Sequence, residues 1–207
     1  MRRRGHALAL ARRRSAAKGR VEPFPEPIQQ LWGVDLTSLP LKSGESLPVW
    51  GIIDHASRAV LQLEPVARYN SLILLGKLLI AFGTFGTPKA IRSDNDAVFK
   101  TWMFRLMLHL LGVKQQFTAL HSPWQNGRTE RFWRTCKETL GVNPRRFREG
   151  LRILEEQLRF ASIEAVSDVL KSFQDFYNFS RPHQSLRGQT PAQVWHRQIE
   201  EMRDASD

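Results

Sequence analysis

Residues 30–37 read Gln-Leu-Trp-Gly-Val-Asp-Leu-Thr, and this stretch is where the fold prediction begins. Its residues divide into two alternating sets, as they do when successive side chains of a β-strand point to opposite faces of a sheet. Asp35 ends an otherwise apolar run. A carboxylate at the end of a strand is costly to bury unless a cation is paired with it. The stretch therefore predicts a strand that delivers a carboxylate to a charged site.

Two further acidic residues follow comparable signals. Asp94 comes after the short strand-like run 90–93, Glu130 falls on a helix-like stretch, and 35 residues separate these two acids. Converging carboxylates raise one another's pKa unless a divalent cation neutralises them. Oxygen-only ligands suit Mg²⁺ or Mn²⁺, and two such ions about 3.5–4 Å apart would clamp an in-line displacement at phosphorus. The three acids therefore predict a two-metal site.

A series of short motifs is ordered along the chain, over roughly residues 28–195, and together they resemble one family. The motifs are Asp35-Leu36-Thr37, Ile53-Asp54 with Ser57-Arg58, Ser93-Asp94-Asn95, Ser122-Pro123 with Gln125-Asn126-Gly127, Glu130-Arg131, Tyr177-Asn178, Arg181-Pro182-His183, Leu186, and Thr190-Pro191-Ala192 with Trp195. They resemble the D,D(35)E catalytic core of retroviral-type integrases and of the insertion-sequence transposases that share it.

The resemblance implies a ribonuclease H-like α/β fold, with a mixed five-stranded sheet flanked by helices. It implies that Asp35, Asp94 and Glu130 are the catalytic residues and hold two Mg²⁺ (or Mn²⁺) ions. The implied activity is metal-dependent cleavage of DNA 3′ ends followed by strand transfer. The implied partners are DNA (transposon ends and target), further copies of the same chain, and a separate chain carrying a helix-turn-helix domain. The implied location is the nucleoid-associated cytoplasm of a bacterium, with no membrane.

At one position the chain departs from the family pattern. Asp96 stands two residues after Asp94, where the family usually has Gly. Aspartate tolerates positive φ better than most residues, although less well than glycine. We therefore expect the turn after Asp94 to form.

The order of the predicted elements agrees with an α/β layered fold. Residues 30–37, 49–54 and 59–64 predict an antiparallel meander, and two short strands follow at 90–93 and 113–118. Helical patterns lie between and after them. Residues 71–82 are apolar almost all round, which predicts a buried helix ended by Gly83, Gly86 and Pro88. A second helix, over about 97–111, should be capped by Asn95 or Asp96, end at Gly112, and bury a face with Val98, Trp102, Leu106 and Leu110.

The helix that carries Glu130 has two distinct faces. At 100° per residue, Glu130, Arg134 and Lys137 fall within a stripe about 60° wide. The apolar residues Phe132, Trp133, Cys136 and Leu140 fall on another face, where Cys136 belongs to the core and is not reactive. We predict that this region contacts DNA phosphates through Asn126, Arg128, Arg131, Arg134 and Lys137. A surface ion pair between residues four apart is the alternative explanation of the stripe.

The distribution of charge along the chain predicts a basic N-terminal segment that is separate from the folded core. The net charge is +11, but eight of the 31 basic residues lie within residues 1–20, which contain no acid. We predict a basic disordered arm or linker at 1–27, a catalytic core at 28–160, and a C-terminal helical extension at 161–207 that packs on the core. The single cysteine excludes an internal disulfide and fits a reducing cytoplasm, and the most apolar stretch, 72–82, is too short to span a bilayer.

Several residues and the function itself admit a second interpretation. Asp54 is favoured as a turn residue over a catalytic one, His183 as structural over catalytic, and the arginines of 145–148 as a solvated face over a DNA contact. A transposase-derived DNA-binding or assembly protein without catalysis is the main alternative function. A ribonuclease H or Holliday-junction nuclease would share the fold and the metal chemistry.

Overall fold

The sheet has five strands in the order β3-β2-β1-β4-β5. The computed structural model describes residues 27–118, 127–142 and 160–205. Neighbouring strands are antiparallel from β1 to β3, whereas β4 pairs in parallel with both β1 and β5. The strands are β1 Leu31–Pro40, β2 Ser46–Asp54, β3 Val60–Pro65, β4 Ala90–Ser93 and β5 Lys114–Phe117. The predicted mixed five-stranded sheet is confirmed.

Helices cover both faces of the sheet. They are α1 Ser71–Phe85, a 3₁₀ turn Ala97–Lys100, α2 Trp102–Leu110, α3 Gly127–Thr139, α4 Ile163–Asp175 with the π-helical turn Phe176–Ser180, the 3₁₀ turn Gln184–Leu186, and α5 Pro191–Asp204. One buried cluster joins the sheet to α1, α2 and Trp195, and the other joins it to α3 and α4. Across the described ranges, none of the helices has both the length and the apolar character needed to cross a membrane.

Strand β2 shows how the sequence builds both layers. Trp50 and Ile52 pack into the cluster with α1 and α2, and Val49 and Ile53 pack into the cluster with α3 and α4. This alternation is the period of two that a strand imposes. Because both faces are covered, nearly every side chain of β2 is buried, which explains why the run is so apolar.

Helix α1 is longer and less buried than its sequence predicts. It continues through Gly83 to Phe85 and ends at Gly86, whose φ is 87°. Leu72 and Ile80 are 56% and 64% exposed. The helix lies in the outer layer, so only the stripe facing the sheet is buried, and the prediction of burial all round is wrong.

The predicted helix over 97–111 is broken in two. A 3₁₀ turn ends at Lys100, Thr101 takes an extended conformation with φ −61° and ψ 147°, and α2 begins at Trp102. The break resets the helical phase, so α2 buries Phe104 and Leu108. The predicted core residues Trp102, Leu106 and Leu110 are 70%, 44% and 68% exposed, and for them the prediction is wrong. Val98 is buried and Gly112 follows the helix at φ 69°, as predicted.

Helices α4 and α5 form the C-terminal part of the described structure, and α4 packs on the sheet. Val166, Leu170, Phe173 and Tyr177 are buried at helical spacing against the sheet. The α5 N-terminus has a capping box of Thr190 and Gln193 with proline at its first position. The division into arm, core and extension stays a prediction, and residues 1–26 and 143–159, with Arg145, Arg146 and Arg148, lie outside the described residues.

Candidate active site

The parallel pairing of β1 with β4 brings two of the predicted catalytic acids near each other. Gly33 of β1 is in register with Arg92 of β4. Asp35 lies two residues further along β1, and Asp94 directly follows the end of β4. The negative charge of Asp94 raises the pKa of Asp35, so the two carboxylates lie within electrostatic reach of each other. The crossover through α1 thus brings together residues far apart in the sequence.

The pKa of Asp35 responds to the charges of both other predicted catalytic acids. Its pKa is raised from 3.8 to about 7, chiefly because burial disfavours the charged carboxylate, and the negative charges of Asp94 and Glu130 raise it further. The backbone N–H of Leu36 and the side chain of Trp133 act in the opposite direction. Asp94 and Glu130 therefore both lie within electrostatic reach of Asp35.

Glu130 reaches this place from the first turn of α3. It is exposed, while Thr129, Phe132, Trp133 and Cys136 of the same helix are buried. The two faces predicted from the sequence are confirmed. Burial raises the pKa of the Cys136 thiol to about 12, in agreement with a core residue that is not reactive.

Two glycines allow α3 to lie close to the sheet. A Cβ atom on Gly33 would lie 2.6 Å from Oγ1 of Thr129, and one on Gly51 would lie 2.7 Å from Cζ2 of Trp133. Gly51 is also the antiparallel partner of Asp35. Glycine inside a strand commonly marks such a close approach, but the sequence analysis assigned no role to either residue. This contact determines how closely Glu130 approaches the sheet.

The donor atoms of the three acids suit a hard divalent cation. All are carboxylate oxygens, and the negative charges of Asp94 and Glu130 add to the effect of burial in raising the pKa of Asp35. In the part of the chain that the structure describes, no three histidine, cysteine or acidic side chains are already arranged to hold a metal ion. The residues present fit Mg²⁺ or Mn²⁺ by the chemistry of their donor atoms.

Comparisons with known proteins match part of the sequence and the fold of this chain. Residues 111–191 match the family model described as integrase core domain. The HTLV-2 integrase catalytic core domain, solved in complex with magnesium in a trimeric form, superposes with a TM-score of 0.60 at 17% identity, covering 81% of this chain and 97% of that one. The fold is that of an integrase catalytic core.

Curated relatives of the integrase-like core are parts of much longer polyproteins. The Gag-Pol polyprotein of baboon endogenous virus (strain M7) is 37% identical over 77 residues, which is 37% of this chain and 4% of the relative. The transposon Tf2-3 polyprotein of Schizosaccharomyces pombe is 26% identical over 129 residues, which is 59% of this chain and 9% of the relative. The chain therefore spans less than a tenth of either curated relative.

The turn after Asp94 accommodates the unusual aspartate of this integrase-like core. Asp96 has φ −61°, so the expectation that the position requires tolerance of positive φ is wrong. Its backbone N–H donates to Oδ1 of Asp94 at 3.1 Å, and its own carboxylate accepts from the N–H of Val98 and the hydroxyl of Tyr69. Asp96 is thus the predicted cap. Burial and the Asp96 charge raise the pKa of Asp94, while the Asp96 N–H and Lys100 lower it.

The start of α3 is fastened to the turn between β2 and β3. Arg128, a predicted DNA contact, donates to the carbonyl oxygen of His55 at 2.7 Å. His55 is buried, and burial together with the charges of Arg128, Arg92 and Arg58 lowers its pKa to about 3. Nε2 of His55 and Oγ1 of Thr129 are buried without a hydrogen-bond partner in the described ranges. No pattern in the sequence had pointed to a role for His55.

The remaining predicted site residues divide into surface and structural groups. Arg131 and Arg134 are exposed on α3, Lys137 is half-buried, and Asn126 lies outside the described residues. Asp54 is buried and accepts from the N–H groups of Gln29, Ala56 and Ser57 and from the Ser57 hydroxyl, which confirms the turn interpretation. His183 is buried, with its ring edge against Tyr177 and its Nε2 3.2 Å from Arg181, as expected for a structural residue.

Proposed function

We propose that the chain is the catalytic core of a DNA transposase or integrase that cleaves DNA 3′ ends and joins them to a target. The observation that supports the proposal is the proximity of Asp94 and Glu130 to Asp35, because the negative charge of each raises the pKa of the Asp35 carboxyl. The match of 111–191 to integrase core domains and the magnesium complex of a protein with the same fold support it.

The three carboxylates have distinct roles in the proposed reaction. Asp35 and Asp94 would share two Mg²⁺ (or Mn²⁺) ions, and Glu130 would complete the second ion's ligands. When bound, the ions would activate the attacking oxygen and stabilise the leaving oxygen at the scissile phosphate. Because Asp35 is half-buried and its carboxylate lies near the Trp133 side chain of α3, packing against α3 would restrict its movement.

The surface beside the acids supplies the proposed DNA contacts. Arg131 and Arg134 are exposed on the helix that carries Glu130, and Lys137 follows one turn later. Cations on this helix would hold the phosphate backbone and fix its orientation without reading its sequence. Arg128 would contribute mainly by fastening α3 to His55.

The partners and location belong to the same proposal. Two DNA ends have to be held together for strand transfer, so we propose a homo-oligomer, with a helix-turn-helix chain as a further partner. The bacterial, nucleoid-associated location also stays a prediction, because the two curated relatives come from a virus and a yeast.

The test is a joining assay with the full chain. Duplexes carrying the DNA that flanks its coding sequence on either side are incubated with plasmid and Mg²⁺ or Mn²⁺. We expect metal-dependent joining that is lost in Asp94→Asn and Glu130→Gln. The matched controls Asp168→Asn and Glu200→Gln replace exposed helical acids away from the site and should join normally.

Three results would overturn the proposal. Joining that persists in both active-site variants would show that the three acids are not the catalytic group. Salt-sensitive DNA binding without nicking, unchanged by the substitutions, would indicate an assembly protein. Cutting of RNA–DNA hybrids without joining would indicate a nuclease on the same fold.

A further inference from the structure

Trp133 lies against the sheet at the position of Asp35. The indole is 7% exposed, and its Cζ2 atom would lie 2.7 Å from a Cβ atom on Gly51. Gly51 is the cross-strand partner of Asp35. The ring therefore occupies the space that a side chain at Gly51 would fill, next to the carboxylate of the first predicted metal ligand.

The indole nitrogen of Trp133 has no completed hydrogen bond. Nε1 is buried, and no acceptor among the described residues meets it in hydrogen-bond geometry. A buried tryptophan N–H usually has a partner. The carboxylate of Asp35 is close enough for the Trp133 side chain to favour its charged form and lower its pKa. The side chain that carries this unpaired N–H donor thus lies near a carboxylate that a cation would hold in its charged form.

Neighbouring rings hold the indole in place. The Phe132 and Trp133 ring centroids are 4.9 Å apart, and Phe132 in turn packs against Phe173 and Tyr177. The indole is consequently confined between an aromatic cluster and a glycine. A donor confined in this way gives a hydrogen bond a fixed direction, which a flexible side chain does not.

We propose that Trp133 is a positioning residue whose indole N–H binds one oxygen of the Asp35 carboxylate and leaves the other oxygen directed at the metal ion. This inference rests on the proposed function, because it assigns the orientation of a ligand in that site. Outer hydrogen bonds of this kind commonly orient carboxylate ligands. Trp133 touches no reacting atom and acts through Asp35.

The first experiment measures Mn²⁺ binding to the full chain by isothermal titration calorimetry. Trp133→Phe keeps an aromatic ring but removes the N–H, and we expect about tenfold weaker Mn²⁺ binding. Trp102→Phe is the matched control, because Trp102 is 70% exposed on α2, and it should bind as the wild type does. Thermal unfolding and circular dichroism check that both variants are folded.

The second experiment follows the indole N–H directly by ¹⁵N NMR. The Trp133 indole resonance is the one missing from Trp133→Phe. We expect it to shift when Asp35 is replaced by asparagine and when Mg²⁺ is added.

The outcomes separate this inference from the function on which it rests. If Asp35→Asn abolishes Mn²⁺ binding while Trp133→Phe binds like the wild type, or if the indole resonance does not move, the positioning role is overturned and the metal site stands. If the wild type binds no Mn²⁺, or Asp35→Asn binds it normally, the metal site itself is overturned and the positioning role with it.

Discussion

A Cβ atom on Gly51 would lie 2.7 Å from Cζ2 of Trp133. Real Cβ atoms essentially never come so close to another heavy atom, so α3 rests on β2 at a point where only glycine fits. Gly33 makes the equivalent contact with Thr129 one strand away. Together the two glycines determine the distance between the sheet that carries Asp35 and the helix that carries Glu130.

Gly51→Ala should therefore destabilise the protein. The added methyl group collides with a rigid ring whose other side is packed, and overpacking of this kind costs about 1–3 kcal/mol. Urea unfolding measures the loss. Gly83→Ala is the control, because Gly83 is inside α1 with nothing within 4 Å of its Cβ position and alanine favours helices by roughly 0.5–1 kcal/mol. A Gly51→Ala variant as stable as the wild type would contradict this packing.

The buried face of α3 was predicted correctly from the sequence, whereas that of α2 was not, and the reason is a break in the helical backbone before α2. In α3 the helical period runs unbroken from Thr129 to Cys136, so the apolar stripe identified in the sequence is the buried one. In α2 the extended backbone at Thr101 interrupts the period. No residue near Thr101 is a glycine or proline, so the sequence analysis had no signal for the break.

In the candidate site, too, some features could be predicted from the sequence and others could not. Asp94 and Glu130 were identified in the sequence because one directly follows a strand and the other lies in the first turn of a helix. Asp35 was expected to end its strand, but β1 continues to Pro40 and Asp35 lies in its middle. The pairing of β1 with β4 and the contact of Gly51 with Trp133 depend on tertiary packing. Local patterns do not encode which helix face meets which strand, so these features were found only in the structure.

Asp35→Asn should stabilise the metal-free protein at neutral and alkaline pH. The folded pKa of Asp35, about 7, lies above its ordinary value of 3.8, so the folded state prefers the protonated carboxyl. The resulting destabilisation is absent below pH 3.8, grows between pH 3.8 and 7, and is complete above that range. We expect Asn to raise the free energy of unfolding by about 2–4 kcal/mol at pH 8 and by much less near pH 4.

Mg²⁺ should stabilise the wild type more than Asp35→Asn and so reverse the order of stability of the two proteins. A cation bound to the folded state alone raises the unfolding temperature by mass action, and the wild type offers it a complete set of carboxylates. Thermal unfolding with and without MgCl₂ should show stabilisation of the wild type that is reduced in Asp35→Asn. Equal stabilisation of both proteins would place the bound Mg²⁺ elsewhere.

His55 should make the protein sensitive to mild acid. Its folded pKa, about 3, lies below the ordinary value of 6.5, so the unfolded chain binds the proton first as pH falls. The stability contributed by the neutral imidazole is present above pH 6.5 and is lost progressively between pH 6.5 and 3. We expect this residue to account for about 2 kcal/mol of lost stability between pH 7 and 5.

The measurement is the free energy of unfolding of His55→Gln against pH, compared with the wild type. The difference between the two proteins should change by that amount over the range. His196→Gln, which replaces an exposed histidine of α5, should follow the wild-type profile. A His55→Gln profile parallel to that of the wild type would mean that His55 takes up its proton equally readily in both states.

Asp96→Gly, which restores the residue usual in the family, should reduce stability in this chain. Asp96 accepts from the N–H of Val98 and from the hydroxyl of Tyr69, and replacing a helix cap with glycine alone costs roughly a few tenths of a kcal/mol. Asp96→Asn keeps an oxygen for the cap, so it separates the cap from the tyrosine contact. A double-mutant cycle with Tyr69→Phe measures the second interaction, because Tyr69→Phe should cost less in Asp96→Gly than in the wild type. Additive costs would mean that the Tyr69 hydroxyl contributes no stability through Asp96.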